Sequence, residues 1–317
     1  MISKLENYIN NNLIDDGIYY VIPFLNSQNH FAGINNKKEL ALLINNTNKD
    51  KSELTNYKGK NLQILYDKSC EIYEDSGESK NKYTVLHLIS DEINVKKYFI
   101  EISKIIIKRI GENPTIKLVE NELSSVKNIF LHLSKKKIKE ELGLWGELFF
   151  ISIQDNKEKA ISSWHINSKD RIDFNSGETK IEIKTTLSSE RKHVFKLKQL
   201  RNHYVENVLI CSIMTNHIEN GMSIKDLVDK ISQKINDEIK IKFFEKIFSV
   251  LGNEMSTMNY KYFDEKTAKE SLKIYKTTQI PSIEYDMISD EISNVEFTSN
   301  LTKSIPYEKI KNKNLII

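Results

Sequence analysis

The sequence predicts a mixed α/β (α+β) fold, and three observations support this prediction. Short apolar or alternating runs separated by polar turns fill the first ninety residues, which is typical of strands. Two segments with apolar residues at helical spacing follow, and a third segment is apolar almost all round, as expected of a buried helix. A strand–turn–strand pattern and an apolar run of strand length come next, so a sheet is expected in the second half as well.

The 317 residues are enough for two domains, and we place a soft boundary near residue 130. We expect a β-rich N-terminal region over 1–130, a core over 131–252, and C-terminal strands and loops over 253–317 that complete the sheet or contact a target. The N-terminal strands are predicted at residues 18–24, 40–44, 62–66 and 83–89.

Two helices should end the N-terminal region. The first spans 91–110 and stops at Gly111, and the second spans 117–133. His30 and His87 are isolated in the sequence, so each is expected to be a surface or packed residue rather than a ligand. The N-terminal region therefore shows no catalytic set.

The next helix carries the first candidate for chemistry. Its apolar positions leave Glu147 as the only charge between residues 142 and 154. A buried carboxylate is costly unless it is paired or binds a metal. Glu147 is therefore either a helix-edge acid that reaches water or a lysine, or a residue that binds metal or activates water.

The most informative segment is a predicted β-hairpin. If Ser176 and Gly177 form a two-residue loop, Asp173 lies opposite Lys180 and diagonal to Glu182. Side chains alternate along a strand, so Asp173, Glu182 and Lys184 share one face. The opposite face is apolar and consists of Ile172, Phe174, Ile181 and Ile183.

Two carboxylates at this separation can hold a hard cation. Mg²⁺ prefers oxygen ligands, usually one or two carboxylates with substrate phosphate oxygens and waters. A lysine beside it can orient water and stabilise charge on a phosphoryl group. The alternative is that Glu182 and Lys184 form the solvated side of an amphipathic strand, because an acid-x-Lys triplet recurs elsewhere in this highly charged chain.

The segment after the hairpin is rich in basic residues and contains candidate DNA contacts. Phosphate contacts from lysine and arginine would position a duplex without reading its sequence. The alternative is a solvated basic helix face. The candidate contacts are Arg171, which precedes the hairpin turn, and Arg191, Lys192, His193, Lys196, Gln199 and Arg201.

Two further elements are predicted after this segment. A buried strand is predicted at 208–214. A long helix should begin at Ser223, whose side chain caps it with Asp226, and should end near Leu251.

This order of residues resembles the PD-(D/E)XK nuclease superfamily, and more narrowly a family from bacterial restriction and phage-defence clusters. The resemblance rests on Gly143 to Leu148, Trp164, Asp173-Phe174, Glu182 to Thr186, His193 and Gln199-Leu200, and Ile172 replaces the proline of the motif. It implies a restriction-endonuclease-like core and Mg²⁺-dependent cleavage of DNA, with Mn²⁺ as a substitute. The implied roles are metal binding by Asp173 and Glu182, aided by Glu147 and the Ile183 carbonyl, and catalysis by Glu147, Asp173, Glu182 and Lys184.

Composition limits the other classes of protein. The net charge of +3 does not indicate a dedicated DNA coat protein, and two distant cysteines argue against a disulfide framework or a zinc finger. The cysteines indicate a reducing setting, so we expect a cytoplasmic protein. No apolar run approaches a membrane span, so we expect no membrane contact.

We therefore expect an endonuclease that acts on double-stranded DNA. A homodimer and a separate methyltransferase or ATPase are the partners we consider. The alternatives are a catalytically silent module that binds nucleic acid or a defence partner, and a nuclease that acts on RNA.

Overall fold

The computed structural model describes most of the chain and divides it into two compact units. The described residues are 1–12, 15, 17–45, 54–74, 77–133, 135, 140–165, 172–177, 179–200, 208–254, 261–284, 288–289, 292 and 294–307. One unit consists of Met1–Lys137 with Phe244–Thr257, and the other of Ile138–Phe243 with Met258–Ile317. The predicted boundary lies near residue 130, whereas the division of the structure falls after Lys137 and assigns 244–257 to the first unit.

A closed ring of strands forms the centre of the first unit. The strands are ordered β1-β2-β3-β6-β5, and β1 also pairs in parallel with the end of β5, which closes the ring. Closure removes unpaired strand edges. The short β4 is attached to β5. The strands are β1 Ile18–Pro23, β2 His30–Asn35, β3 Leu40–Asn45, β4 Tyr57–Lys58, β5 Leu62–Glu74 and β6 Gly77–Leu88.

Alternate residues from all five ring strands form one buried cluster, which fills the interior of the ring. A register shift between Leu65 and Lys68 lets β5 pair along almost the whole of β6. The predicted strands are confirmed, but β2 and β4 were not predicted, and β5 and β6 are longer than expected. The cluster comprises Tyr19, Val21, Phe31, Ala41, Leu43, Cys70, Ile72, Tyr83 and Val85.

Three described helices lie wholly within this unit: α1 Ile2–Asn11, α2 Ile93–Ile110 and α3 Ile116–His132. Helix α2 ends where Gly111 adopts a φ of 68°, and Thr115 caps α3 by accepting a hydrogen bond from the amide of Leu118. Both predicted helices are confirmed. His30 and His87 are buried, which agrees with the expectation that they are packed residues.

The second unit combines helices with two small sheets. Its helices are α4 Glu141–Ile153, α5 Lys157–Ser163, α6 Leu197–Leu200, α7 Ile224–Ser232, α8 Asp237–Leu251, which contributes residues to both units, and α9 Glu265–Ser271. Its strands are β7 Phe174–Asn175, β8 Lys180–Thr186, β9 Lys192–Lys196, β10 Val208–Met214, β11 His217–Met222, β12 Lys273–Lys276 and β13 Glu296–Asn300. These elements confirm the predicted mixed fold class.

The four-stranded sheet of this unit has the order β12-β10-β8-β7. Strands β8 and β10 are parallel, and the connection between them is long enough for the crossover that parallel pairing requires. The two outer strands, β12 and β7, run antiparallel to their neighbours. The strand predicted at 208–214 is thus confirmed beside the hairpin. Strands β9 and β13 form a separate antiparallel ribbon.

The long helix predicted after Ser223 is wrong, because α7 and α8 are separate helices. Ser223 and Asp226 do form the predicted capping box at the start of α7. Asn236 interrupts the pattern by accepting a hydrogen bond from the amide of Ile239 at 3.0 Å, which caps a new helix. Within the described ranges, no helix combines the length and apolar character needed to cross a bilayer.

Candidate functional site

Helix α4 packs directly against strand β8. A β-carbon placed on Gly146 would lie 1.8 Å from Thr185 Oγ1 and 3.5 Å from Ile183 Cγ2. The helix therefore covers the face of β8 that carries Ile183 and Thr185, and the residue that allows this approach is a glycine. Because side chains alternate along a strand, Glu182 and Lys184 lie on the other face.

Glu147 lies one residue beyond Gly146 and is buried at 4% exposure. Its Oε2 accepts a hydrogen bond from Trp164 Nε1 at 2.7 Å. Trp164 itself forms a β-bridge with Phe174, the residue that follows Asp173. The carboxylate predicted to be metal-bound or at a helix edge is thus enclosed, and one of its contacts is an indole N–H close to the hairpin.

The hairpin forms, but its predicted register is wrong. Phe174 pairs with Ile181, and the amide of Ser176 donates to the carbonyl of Thr179 at 3.1 Å, so Ser176 flanks the turn rather than forming part of it. Extended by one residue, this register places Asp173 across from Glu182 rather than opposite Lys180. The pairing moved by an even number of residues, so the alternation of faces along the two strands is that of the predicted register, and the shared face of the Asp173 and Glu182 carboxylates stays a prediction.

Asp173 takes the place of a backbone partner where β7 separates from β8. Its Oδ2 accepts a hydrogen bond from the amide of Ile183 at 2.8 Å, while its carbonyl accepts one from the amide of His165 at 2.7 Å. The amide of Ile183 is bonded to the carbonyl carbon of Glu182. The Asp173 carboxylate therefore lies beside the backbone of Glu182, within the gap between the two strands.

Glu182 and Lys184 form an ion pair on the face away from α4. Lys184 Nζ lies 2.9 Å from Glu182 Oε1, and their side chains are 18% and 6% exposed. The alternative of a solvated strand face is therefore wrong, because this face is covered. A carboxylate with so little solvent retains its charge only through polar or cationic neighbours, and Lys184 is one of them.

The basic segment after β8 does not form one exposed surface. Arg191 and His193 are buried, whereas Lys192 and Lys196 are exposed on the other side of β9. The exposure predicted for Arg191 and His193 as DNA contacts is wrong, because alternation along β9 turns His193 inward and hydrogen bonds hold Arg191 in the interior. Arg171, Arg201 and the side chain of Gln199 lie outside the described residues.

His193 is held in its neutral form. Burial, together with the smaller effects of the nearby charges of Arg191 and Lys184, lowers the pKa of His193 to about 3. Its Nε2 lies 2.6 Å from Ser212 Oγ, and β10 places Ser212 beside Lys184 in the parallel ladder. His193 thus adds no second positive charge next to the ammonium of Lys184 at neutral pH.

The donor set at the hairpin fits Mg²⁺. Asp173, Glu182 and the carbonyl of Ile183 are hard oxygen donors on adjacent backbone positions, and Mg²⁺ needs few protein ligands because it keeps waters and phosphate oxygens. Among the described residues, no three or more His, Cys, Asp or Glu side chains gather as a metal-binding group. The metal-binding roles of Glu147, Asp173 and Glu182 therefore stay predictions, and the structure shows the Asp173 carboxylate beside the backbone of Ile183.

The sequence alone predicts no role for Ser212 or Phe195, and none for Trp164 beyond its place in the motif. Ser212 lies in an apolar strand, where one hydroxyl carries no signal until the partners across the ladder are known. Phe195 could have been found, because the alternation in Lys192 to Lys196 already puts it on the same face as His193. Trp164 contacts Glu147 across seventeen residues, a separation that no short motif reveals.

Comparison with known proteins yields one family. The family model DUF4420, described as "Putative PD-(D/E)XK family member", matches residues 21–302 and so covers most of the chain. No curated protein and no solved structure matches significantly.

Proposed function

The chain belongs to the DUF4420 family of PD-(D/E)XK proteins, and from this premise we propose that it is a Mg²⁺-dependent endonuclease acting on double-stranded DNA. The observation that carries the proposal is the arrangement on the hairpin. Asp173 accepts a hydrogen bond from the amide of Ile183, and Glu182 pairs with Lys184 at 2.9 Å. One acid thus contacts the backbone of β8 at Ile183, and a second acid on the same strand pairs with the candidate catalytic lysine.

Asp173 and Glu182 would hold the metal ion, together with the carbonyl of Ile183. When bound, Mg²⁺ neutralises charge on a phosphodiester and acidifies water. The amide of Ile183 fixes one oxygen of Asp173 beside the backbone of β8. Glu147 would support the site from α4, on which its neighbour Gly146 contacts the same strand.

Lys184 would act on the substrate side of the site. Its ammonium is anchored by Glu182 and remains partly exposed, so it can orient an attacking water and stabilise charge that develops on the phosphoryl oxygens. Lys192 and Lys196 point outward from β9 and would contact the DNA backbone. We further propose a cytoplasmic role in restriction or phage defence, with a separate methyltransferase or ATPase as partner and a homodimer to cut both strands.

Plasmid cleavage tests this proposal. Purified protein with Mg²⁺ or Mn²⁺ should nick or linearise supercoiled DNA, and Asp173→Asn or Glu182→Gln should abolish the activity. Glu190→Gln is the matched control, because Glu190 is an exposed acid in the same unit that pairs with Lys192. Equal loss of activity in this control, or cleavage unaffected by either hairpin variant, would refute the assignment. Structured RNA offered in parallel distinguishes a nuclease that acts on RNA.

One observation favours a second candidate function, a silent nuclease-fold module that binds nucleic acid or a defence partner. Asp173 and Glu182 both hold partners within the chain, and those contacts would stabilise the hairpin without any chemistry. Titration calorimetry separates the two functions. DNA binding without any heat of Mg²⁺ or Mn²⁺ binding supports the silent module, whereas metal binding that Glu182→Gln removes supports the nuclease.

A further inference from the structure

The face of β8 that carries Lys184 is covered by the ribbon of β9 and β13. Strand β9 alternates in burial, so His193 and Phe195 point inward while Lys192, Val194 and Lys196 point outward. Phe195 is fully buried and belongs to a cluster that includes Val208 and Ile210 of β10 and Tyr275 of β12. Val208 and Ile210 flank Lys180 and Glu182 in the parallel ladder. The ribbon therefore packs on the face that carries the candidate site.

A buried chain of polar groups fixes the start of this ribbon to β10. Arg191 Nη1 donates to the carbonyl of Ser212 at 2.9 Å and to its Oγ at 2.8 Å, while Nη2 donates to the carbonyl of Ser271 at 2.6 Å. Since Ser212 Oγ accepts from Arg191, its own hydrogen is free to be donated to His193 Nε2 at 2.6 Å. Networks of this kind make a buried region rigid when their members are satisfied.

The ribbon brings an aromatic ring next to the candidate catalytic lysine. Lys184 Nζ lies 5.4 Å from the centroid of the Phe195 ring and over its face. This is within the range in which an ammonium group is attracted to the negative face of a ring. The same nitrogen lies 2.9 Å from Glu182 Oε1, so a carboxylate and a ring constrain it together.

We propose that Phe195 is a positioning residue for Lys184, and that the Arg191–Ser212–His193 chain holds Phe195 in place. The proposal rests on the proposed nuclease function, because it gives that function's lysine a fixed position. A lysine side chain is long and has many rotamers, and a single ion pair restricts them only partly. A ring that covers one side of the ammonium reduces the number of positions that the ammonium can occupy.

The contact can be measured without any assay of activity. Lysine labelled with ¹³C at Cε gives one proton–carbon signal per residue, and Lys184→Arg identifies the signal of Lys184. Protons over an aromatic face are shifted upfield, so this signal should be displaced from those of exposed lysines. In Phe195→Leu the displacement should be lost. Phe297→Leu is the matched control, because Phe297 is the ring opposite Phe195 in the ribbon, with ring centroids 6.2 Å apart. The ring over Lys184 is that of Phe195, so the displacement should remain in this variant.

Activity then tests whether the position matters for catalysis. With Mg²⁺ and plasmid DNA, Phe195→Leu should lower kcat about ten- to hundredfold with little change in KM, as expected for a misplaced reacting group. Phe297→Leu should keep kcat within about twofold of wild type. Thermal melting of both variants, followed by Trp fluorescence, shows that each has folded.

The outcomes separate the two levels of the inference. An undisplaced Lys184 signal in the wild type, or a displaced signal that survives in Phe195→Leu, overturns the positioning role whatever the protein cleaves. A displaced signal together with wild-type kcat in Phe195→Leu also overturns it. If the wild type shows a displaced signal but cleaves no nucleic acid, the proposed nuclease function is overturned. The contact between Phe195 and Lys184 then exists but has no role in catalysis.

Discussion

Each unit of the molecule contains a lysine–glutamate pair with the same separation of 2.9 Å. In the first unit, Lys96 Nζ contacts Glu6 Oε1 and ties α2 to α1. In the second, Lys184 Nζ contacts Glu182 Oε1 within one strand. The pairs differ in which partner is buried. The side chain of Lys96 is 7% exposed and that of Glu6 34%, whereas Lys184 is 18% exposed and Glu182 only 6%.

This difference separates a structural contact from a candidate site. A buried lysine whose acid faces water joins two helices, and the acid has no further task. A buried acid whose lysine is partly exposed brings an ammonium group towards solvent, on the strand whose Ile183 amide contacts a second acid, Asp173. Burial of charge alone therefore does not indicate function. Burial of the acid, access to the lysine and a neighbouring oxygen donor do so together.

The largest expected effect is on catalysis. Lys184→Met should lower the rate of DNA cleavage about 10²- to 10³-fold, because it removes one charge that stabilises the transition state. Lys96→Met should leave the rate unchanged. The measurement is single-turnover cleavage of supercoiled plasmid with Mg²⁺. Equal rates for the two variants would remove the distinction between the pairs.

The second effect is on stability. Lys184→Met removes the ammonium partner of a buried carboxylate, which should cost up to about 3 kcal/mol of the free energy of unfolding. The double variant Glu182→Gln/Lys184→Met should recover most of this loss and no activity. Urea unfolding followed by Trp fluorescence is a suitable measurement, because Trp145 and Trp164, the two tryptophans of the chain, both lie in the second unit. A double variant as unstable as the single one would contradict the idea that Glu182 depends on Lys184.

The third effect is the response to acid. The pKa of His193 lies at about 3 in the folded state, below its usual value of 6.5, so the unfolded state binds the extra proton between these pH values. Stability from this residue is fully present above pH 6.5 and is lost as the pH falls, by about 2 kcal/mol at pH 5. His193→Gln should flatten the slope of stability against pH between 7 and 5.

The first unit supplies the comparison for this measurement. Burial also lowers the pKa of His87, but Glu39 opposes the shift. His87→Gln should therefore change the acid slope less than His193→Gln does. A larger change for His87→Gln would mean that the burial of His193 beside Arg191 and Lys184 does not determine how the stability of the second unit responds to acid.

The smallest expected effect concerns the structural pair. Lys96→Met should cost about 1–2 kcal/mol of the free energy of unfolding, since Glu6 is a third exposed and water can replace part of its contact. Hydrogen exchange of α1 and α2 amides is the measurement, because the first unit contains no tryptophan. Faster exchange confined to these helices is expected, and exchange as in the wild type would show that the pair contributes nothing.

The sequence was sufficient to predict most helices and the presence of the hairpin, because hydrophobic periodicity and turn residues are local signals. It could not distinguish a Ser176-Gly177 loop from a loop one residue further on, since Gly177 suits either turn. The observed register keeps the predicted alternation of faces, because a shift by an even number of residues leaves each side chain on its side of the sheet.

The cover over the hairpin could not be predicted. Strand β9 pairs with β13, which begins a hundred residues after Lys196 at Glu296, and Phe195 of this ribbon contacts Lys184. A pattern of alternating polar residues looks the same whether water or another ribbon lies above it. For the same reason, the sequence predicts a surface position for Arg191, whereas the structure buries this residue.

Gly146 sets the separation between α4 and β8, and this has a consequence for mutational tolerance. A library of all twenty amino acids at position 146 should retain glycine almost alone, since any side chain meets Thr185. Position 143 of the same helix has open space around its missing β-carbon and should accept many residues, alanine best of all. Two glycines three residues apart would thus behave oppositely in one selection, which would serve as a gauge of how closely the helix approaches the strand.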